Sequence, residues 1–142
     1  MTDPSPSRLT YLVKQLQEAL LARLEEITQE VGLTPKQYTA LSVLVLHPGV
    51  SAAVLARLTF VTPQAAHEMV TTLERKGLLE RSVDEANRRQ LEVRVTRRGR
   101  ALLATCDERV DVLERDVFGA LGPDERVGLR RALEASLRAA TT

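Results

Sequence analysis

Apolar residues recur at Leu9, Leu12, Val13, Leu16, Leu20, Leu24, Ile27 and Val31, mostly three or four positions apart, with Gln, Glu, Lys and Arg between them. That period gathers them on one stripe and predicts a long amphipathic helix closed by Gly32. A helix of roughly 25 residues spans about 37 Å, more than a compact core needs, so part of the stripe is expected to meet a partner chain. Thr34-Pro35-Lys36-Gln37 combines a capping box with proline at the first helical position. It predicts a second helix through Leu41 and Val45, ended by His47-Pro48-Gly49. Ser51 can cap a short third helix over 52–58, and Thr62-Pro63 repeats the start for a fourth. In the fourth, apolar Ala66, Met69, Val70 and Leu73 share a face, and Lys76-Gly77 closes it.

The period then drops to two. Leu91, Val93 and Val95 alternate with polar residues and predict a half-buried strand, paired antiparallel with 78–83 across the polar segment 84–89. Two more helices are expected over about 97–118 and 123–139, separated by Gly119 and Gly122-Pro123. The fold class is therefore mainly α with a small β-hairpin (α+β), in a single domain. Composition agrees: 44% hydrophobic and 27% charged residues in 142 describe a globular chain rather than a disordered one. One Cys excludes an internal disulfide framework, and one Cys with two distant His leaves too few ligands for structural zinc. The polar N-terminal segment 1–7 reads as a tail and lacks the apolar stretch of a signal peptide. No apolar run reaches membrane-spanning length either, so a cytoplasmic protein without membrane contact is expected. No Gly-rich phosphate loop, metal-ligand spacing or nucleophile signature is present, so neither enzymatic activity nor a cofactor is expected.

The net charge of +1 conceals an asymmetry: residues 51–100 carry ten Arg/Lys against six Asp/Glu, and the rest of the chain ten against thirteen. A basic middle suits a polyanion, though many proteins that never meet DNA share such a balance. The arrangement within it is more telling. A short helix, a tight turn, a helix begun by Thr-Pro and a basic-tipped hairpin form the layout of a winged helix-turn-helix. In that layout the second helix enters the major groove of DNA and the hairpin reaches the adjoining minor groove. With the apolar stripe of the fourth helix inward, Gln64, Glu68 and Thr71 face outward, flanked by Ala65, His67, Thr72 and Arg75. Arg57, Lys76 and Arg94 are candidates for phosphate contacts, and each alone also reads as an ordinary surface charge. Arg88 and Arg89 at the hairpin tip read either as a solvated turn or as groove contacts.

The ordered set Leu55 to Gln64, Leu73-Glu74-Arg75-Lys76-Gly77-Leu78, Asp84 to Arg89, Leu91 to Thr96 and Gly99-Arg100 resembles the multiple-antibiotic-resistance regulator (MarR) family over nearly the whole chain. The resemblance implies a homodimeric transcription factor, usually a repressor, on a pseudo-palindromic double-stranded DNA operator. It is often released by a small phenolic or other amphipathic effector, or by oxidation. Residues 8–32 and 97–142 would form the dimerisation region and 34–96 the DNA-binding region. The recognition helix carries over as 62–76, beginning at Thr62. In the wing, Arg88 or Arg89 would enter the minor groove with Asp84 orienting one of them. Two departures stand out: many members carry Arg or Lys where this chain has Glu68 and Thr72, and some carry a further Arg where Ala86 stands. Glu68 repels phosphate but can accept from a cytosine N4, trading affinity for sequence choice. Tyr11, Tyr38 and His47 lie on the first two helices, where the family commonly lodges effectors. Core packing or solvent exposure is the ordinary explanation of all three.

Cys106 falls on the apolar stripe of the fifth helix, which favours packing over redox sensing. Its neighbours Asp107 and Glu108 also oppose a thiolate. The alternatives to a specific repressor are a low-specificity DNA-coating protein and a winged-helix protein-interaction module.

Overall fold

Local hydrogen bonds set the element boundaries, beginning with three helix starts that side-chain caps define. Thr34 Oγ1 accepts from Gln37 N while Gln37 Oε1 accepts from Thr34 N, closing a capping box. Ser51 Oγ accepts from Val54 N, and Thr62 Oγ1 from Ala65 N. The computed structural model describes residues 8–83 and 91–142. Its elements are α1 (Leu9–Gln29), α2 (Pro35–Leu46), α3 (Ala52–Thr59), α4 (Pro63–Arg75), β1 (Leu79–Val83), β2 (Leu91–Val95), α5 (Arg97–Phe118) and α6 (Pro123–Thr141). The expected architecture, mainly helical with one small hairpin, is the one observed. Its two strands pair antiparallel, Leu79 opposite Val95 and Arg81 opposite Val93.

Three helices end alike. At the end of α4, Leu78 N donates to Leu73 O and Gly77 N to Glu74 O, the paired bonds of a Schellman motif, with Gly77 at φ +78°. At the end of α1, Leu33 N reaches Thr28 O and Gly32 N reaches Gln29 O, with Gly32 at φ +77°. This turn consumes Glu30, Val31 and Gly32, so Gly32 closes the helix as expected but α1 stops at Gln29, short of Val31, and spans about 31 Å. At the end of α3, Val61 N reaches Ala56 O and Phe60 N reaches Arg57 O, but the left-handed residue is Phe60, at φ 58°.

The chain divides into two compact units, Met1–Glu108 and Arg109–Thr142. The first holds the main core, in which Leu41, Leu44, Leu55, Val70, Leu73, Leu78, Leu79, Val95, Leu103 and Cys106 are buried together. Here α3 packs on α2 and α4, and α4 on β1. Much of α1 contributes nothing to this core: Leu9, Leu12, Val13 and Leu16 stay exposed. In the second unit, which holds the end of α5 and α6, Arg126 Nε donates to Phe118 O, and Val127, Leu133 and Leu137 are exposed. Among the described residues no helix is long and apolar enough to cross a membrane.

Two stability outcomes follow from the backbone. A left-handed conformation costs an L-residue about 1–2 kcal/mol, and the Phe60 side chain, 80% exposed, recovers little of that by burial. Phe60→Gly is expected to raise stability by about 1 kcal/mol, or Tm by about 3 °C; a lowered Tm would mean that the ring packs usefully. Gly99, buried in the first turn of α5, has no room for a methyl group: a Cβ there would overlap Leu78 O and lie 2.7 Å from Val95 Cγ1. Thermal unfolding of Gly99→Ala should show a loss of about 2 kcal/mol, the scale of overpacking against an unyielding backbone.

Candidate nucleic-acid interface

The helical period of α4 divides its residues cleanly. Ala66, Val70 and Leu73 are buried and Met69 packs partly against the core, which commits that stripe to the fold. Gln64, His67, Glu68, Thr71 and Arg75 are exposed along the opposite face, with Ala65 and Thr72 half-buried at its margins. Gln64, His67, Glu68, Thr71, Thr72 and Arg75 line a shallow depression of about 390 Å³. At the N-terminus of the helix the first-turn donors are few. Pro63 has none, Ala65 N is held by the Thr62 hydroxyl and Ala66 N by the Thr62 carbonyl. Gln64 N is the first-turn amide left to point along the helix axis, where the dipole also favours an anion.

The remaining expected residues are placed less uniformly. Arg57 is exposed on α3, and Arg94 is exposed on β2. Lys76 Nζ donates to Gly32 O at 2.7 Å, tying the end of α4 to the turn after α1. Thr71 is engaged as well: its hydroxyl donates to His67 O and accepts from Arg81 Nη2 at 2.7 Å. Arg81 Nε lies 3.5 Å from Glu74 Oε2, at ion-pair distance but without a hydrogen bond. Sequence reasoning did not single out Arg81. Asp84, Arg88 and Arg89 lie outside the described residues.

The three residues considered for an effector are not assembled into one site by any hydrogen bond among the described residues. Tyr11 is exposed on α1, Tyr38 is half-buried near the start of α2, and His47 is exposed at its C-terminal cap. Tyr38 and His47 stand about 13 Å apart along the helix axis at 1.5 Å per residue. The Tyr38 hydroxyl instead donates to Asp107 Oδ1 at 2.5 Å. Burial, and then the hydrogen bond and negative charge of Asp107, raise its pKa well above the ordinary tyrosine range. A separate concavity of about 590 Å³ lies between α1 and α2, with Leu21, Thr28, Leu33 and Lys36 in its wall. Among the described residues no group of three or more His, Cys, Asp or Glu is placed to hold a metal ion.

The sequence model of the MarR family matches residues 31–90. The HTH-type transcriptional repressor Rv2887 of Mycobacterium tuberculosis is 31% identical over 134 residues, which cover 94% of this chain and 95% of that protein. The crystal structure of that M. tuberculosis protein in complex with p-aminosalicylic acid is similar at TM-score 0.75 and 29% identity, covering 91% of this chain and 98% of the other. The structure of the transcriptional repressor CouR bound to a 23-mer DNA duplex is similar at TM-score 0.80 and 27% identity, over 92% of each chain.

Cys106 is placed for packing rather than for reactivity. The side chain is fully buried, and burial, then the adjacent Asp107 carboxylate, push its thiol pKa up, so the reactive thiolate is disfavoured twice. A chromogenic thiol reagent should leave the native protein unmodified and react at once when denaturant unfolds it. Equal rates in the two states would refute a pure packing role.

Proposed function

The chain belongs to the MarR family of winged helix-turn-helix transcriptional regulators, and on that premise we propose that it is a homodimeric repressor of an inverted-repeat operator. The observation that carries the reading is the outward face of α4. It presents an amide donor-acceptor (Gln64), an imidazole (His67), a carboxylate (Glu68) and a guanidinium (Arg75) at the spacing a helix needs to meet successive base edges and phosphates. Self-association is supported by exposed apolar residues: Leu9, Leu12, Val13 and Leu16 on α1, and Val127, Leu133 and Leu137 on α6. Such residues cost free energy in water and are the expected contacts of a second copy, with residues 8–32 and 97–142 as the dimerisation region and 34–96 as the DNA-binding region. Around them, Arg57 and Arg94 would contact the DNA backbone, and in the wing Arg88 or Arg89, with Asp84 orienting one of them, would enter the minor groove.

Control by a small aromatic acid extends the reading, supported by the p-aminosalicylic acid complex of the M. tuberculosis relative. An effector that favours the DNA-incompetent arrangement by 1–3 kcal/mol would lower DNA affinity about 5- to 150-fold. Its seat would lie beside Tyr11, Tyr38 or His47, or in the concavity between α1 and α2.

Selection from a random duplex pool at about 150 mM salt tests the DNA reading without presuming an operator. Enrichment of an inverted repeat with half-sites about 10 base pairs apart is expected. On the enriched site, Gln64→Ala should cost about 1–3 kcal/mol and relax the base preference at one position per half-site. Arg75→Ala should instead weaken all duplexes alike and reduce the dependence of log affinity on log salt by about one unit per half-site. Salt-sensitive binding without enrichment would favour a DNA-coating role, to which Glu68 is poorly suited, and absence of binding would favour an interaction module.

A further inference from the structure

We propose that Arg81 is a positioning residue for DNA recognition, holding the hairpin strand β1 against the outward face of α4 so that helix and hairpin meet a duplex at one fixed angle. The proposal rests on the DNA-binding reading above and adds to it a residue that contacts no base.

The strand pattern makes Arg81 conspicuous. Leu79 is buried and Glu80 exposed, so strand alternation returns Arg81 to the face that Leu79 buries. Its side chain is 27% exposed there. A guanidinium on the inward face of a two-stranded hairpin is costly without partners, and its partners lie on a different element. Nη2 donates to Thr71 Oγ1, and Nε faces Glu74 Oε2 while being shut off from solvent. Thr71 and Glu74 are three residues apart on α4 and therefore neighbours on one face, so a single planar fork spans two points of the recognition helix.

The bond also defines what Thr71 does. Its one hydroxyl hydrogen is donated to His67 O and its oxygen accepts from Arg81, so Thr71 has no donor for a base. Its place among the outward residues seats the Arg81 fork on the exposed side of α4. Because Arg81 stands midway along β1, a change at this contact swings the whole hairpin relative to α4. The penalty should appear only on DNA that demands both elements in register. A non-cognate duplex is held by charge and tolerates the change.

The test uses the enriched operator and a scrambled duplex of equal length, each measured over a salt series, with thermal melting confirming a folded protein. Arg81→Ala is expected to lower operator affinity about tenfold, to change scrambled-duplex affinity less than about twofold, and to leave the salt slope unaltered. Arg81→Lys, which keeps the charge and loses the fork, should fall within about threefold of Arg81→Ala on the operator. Three results would overturn the proposal. An equal loss on both duplexes with a slope reduced by about one would make Arg81 a phosphate contact. Unchanged operator affinity with a lowered Tm would make it a bond of the fold alone. If the wild-type protein enriches no operator, the DNA reading itself fails and this inference falls with it.

Discussion

The junction at Lys76, Gly77 and Leu78 is where the separate parts of the first unit are held to one another. Gly77 takes the left-handed turn that releases the chain from α4. Its carbonyl then accepts from Thr96 Oγ1, at the end of β2, while Leu78 O accepts from Thr96 N. The same Thr96 oxygen accepts from Gly99 N and so caps α5, whose first turn closes on Leu78 so tightly that only glycine fits. Lys76 extends the junction to α1 through Gly32 O. A helix that reads DNA must be rigid relative to whatever carries it; on the proposed reading α4 is that helix, and one tripeptide fastens it to both strands, to α5 and to the turn after α1. None of these bonds is strong alone, about 0.5–1.5 kcal/mol net each. They act on adjacent residues, so loosening one removes the geometry that the others require.

How much of this was legible in the sequence depends on the range of the interaction. Thr34 with Gln37, Thr62 with Ala65 and the glycines after α1 and α4 act within six residues, and the chemistry that sets each boundary is written beside it. The outward face of α4 was legible for a related reason: once Ala66, Val70 and Leu73 are assigned to the core, the helical period leaves little choice for Gln64, Glu68 and Arg75. Phe60 defeated the same logic, since it occupies the left-handed slot that glycine fills at the two comparable ends and gives no compositional sign of doing so. The partners of Lys76, Tyr38 and Arg81 lie 44, 69 and 10 residues away in sequence, and a side chain's long-range partner is set by tertiary placement. Arg81 alone left a trace, a charge in phase with buried Leu79, where the alternation calls for an apolar residue.

The polar groups of α4 are thus divided between those bonded within the fold and those left on its exposed face. Thr62 caps, Thr71 and Glu74 receive Arg81, and Lys76 reaches Gly32. Gln64, His67, Glu68 and Arg75 remain on the exposed face, where the Glu68 carboxylate and the Arg75 guanidinium offset each other. A face of that kind cannot hold a polyanion by charge. On the proposed reading it discriminates through Gln64, which offers directional hydrogen bonds, and Glu68, which repels wherever it meets no donor, while Arg75 holds phosphate. On that reading affinity comes from the basic surplus of residues 51–100 outside this face, and from the proposed doubling. Two copies of a weak, selective helix on one duplex add their binding free energies while sharing much of the entropic cost of association. A nearly neutral face on α4 thus fits the proposed homodimer, for which the exposed apolar residues of α1 and α6 offer surface.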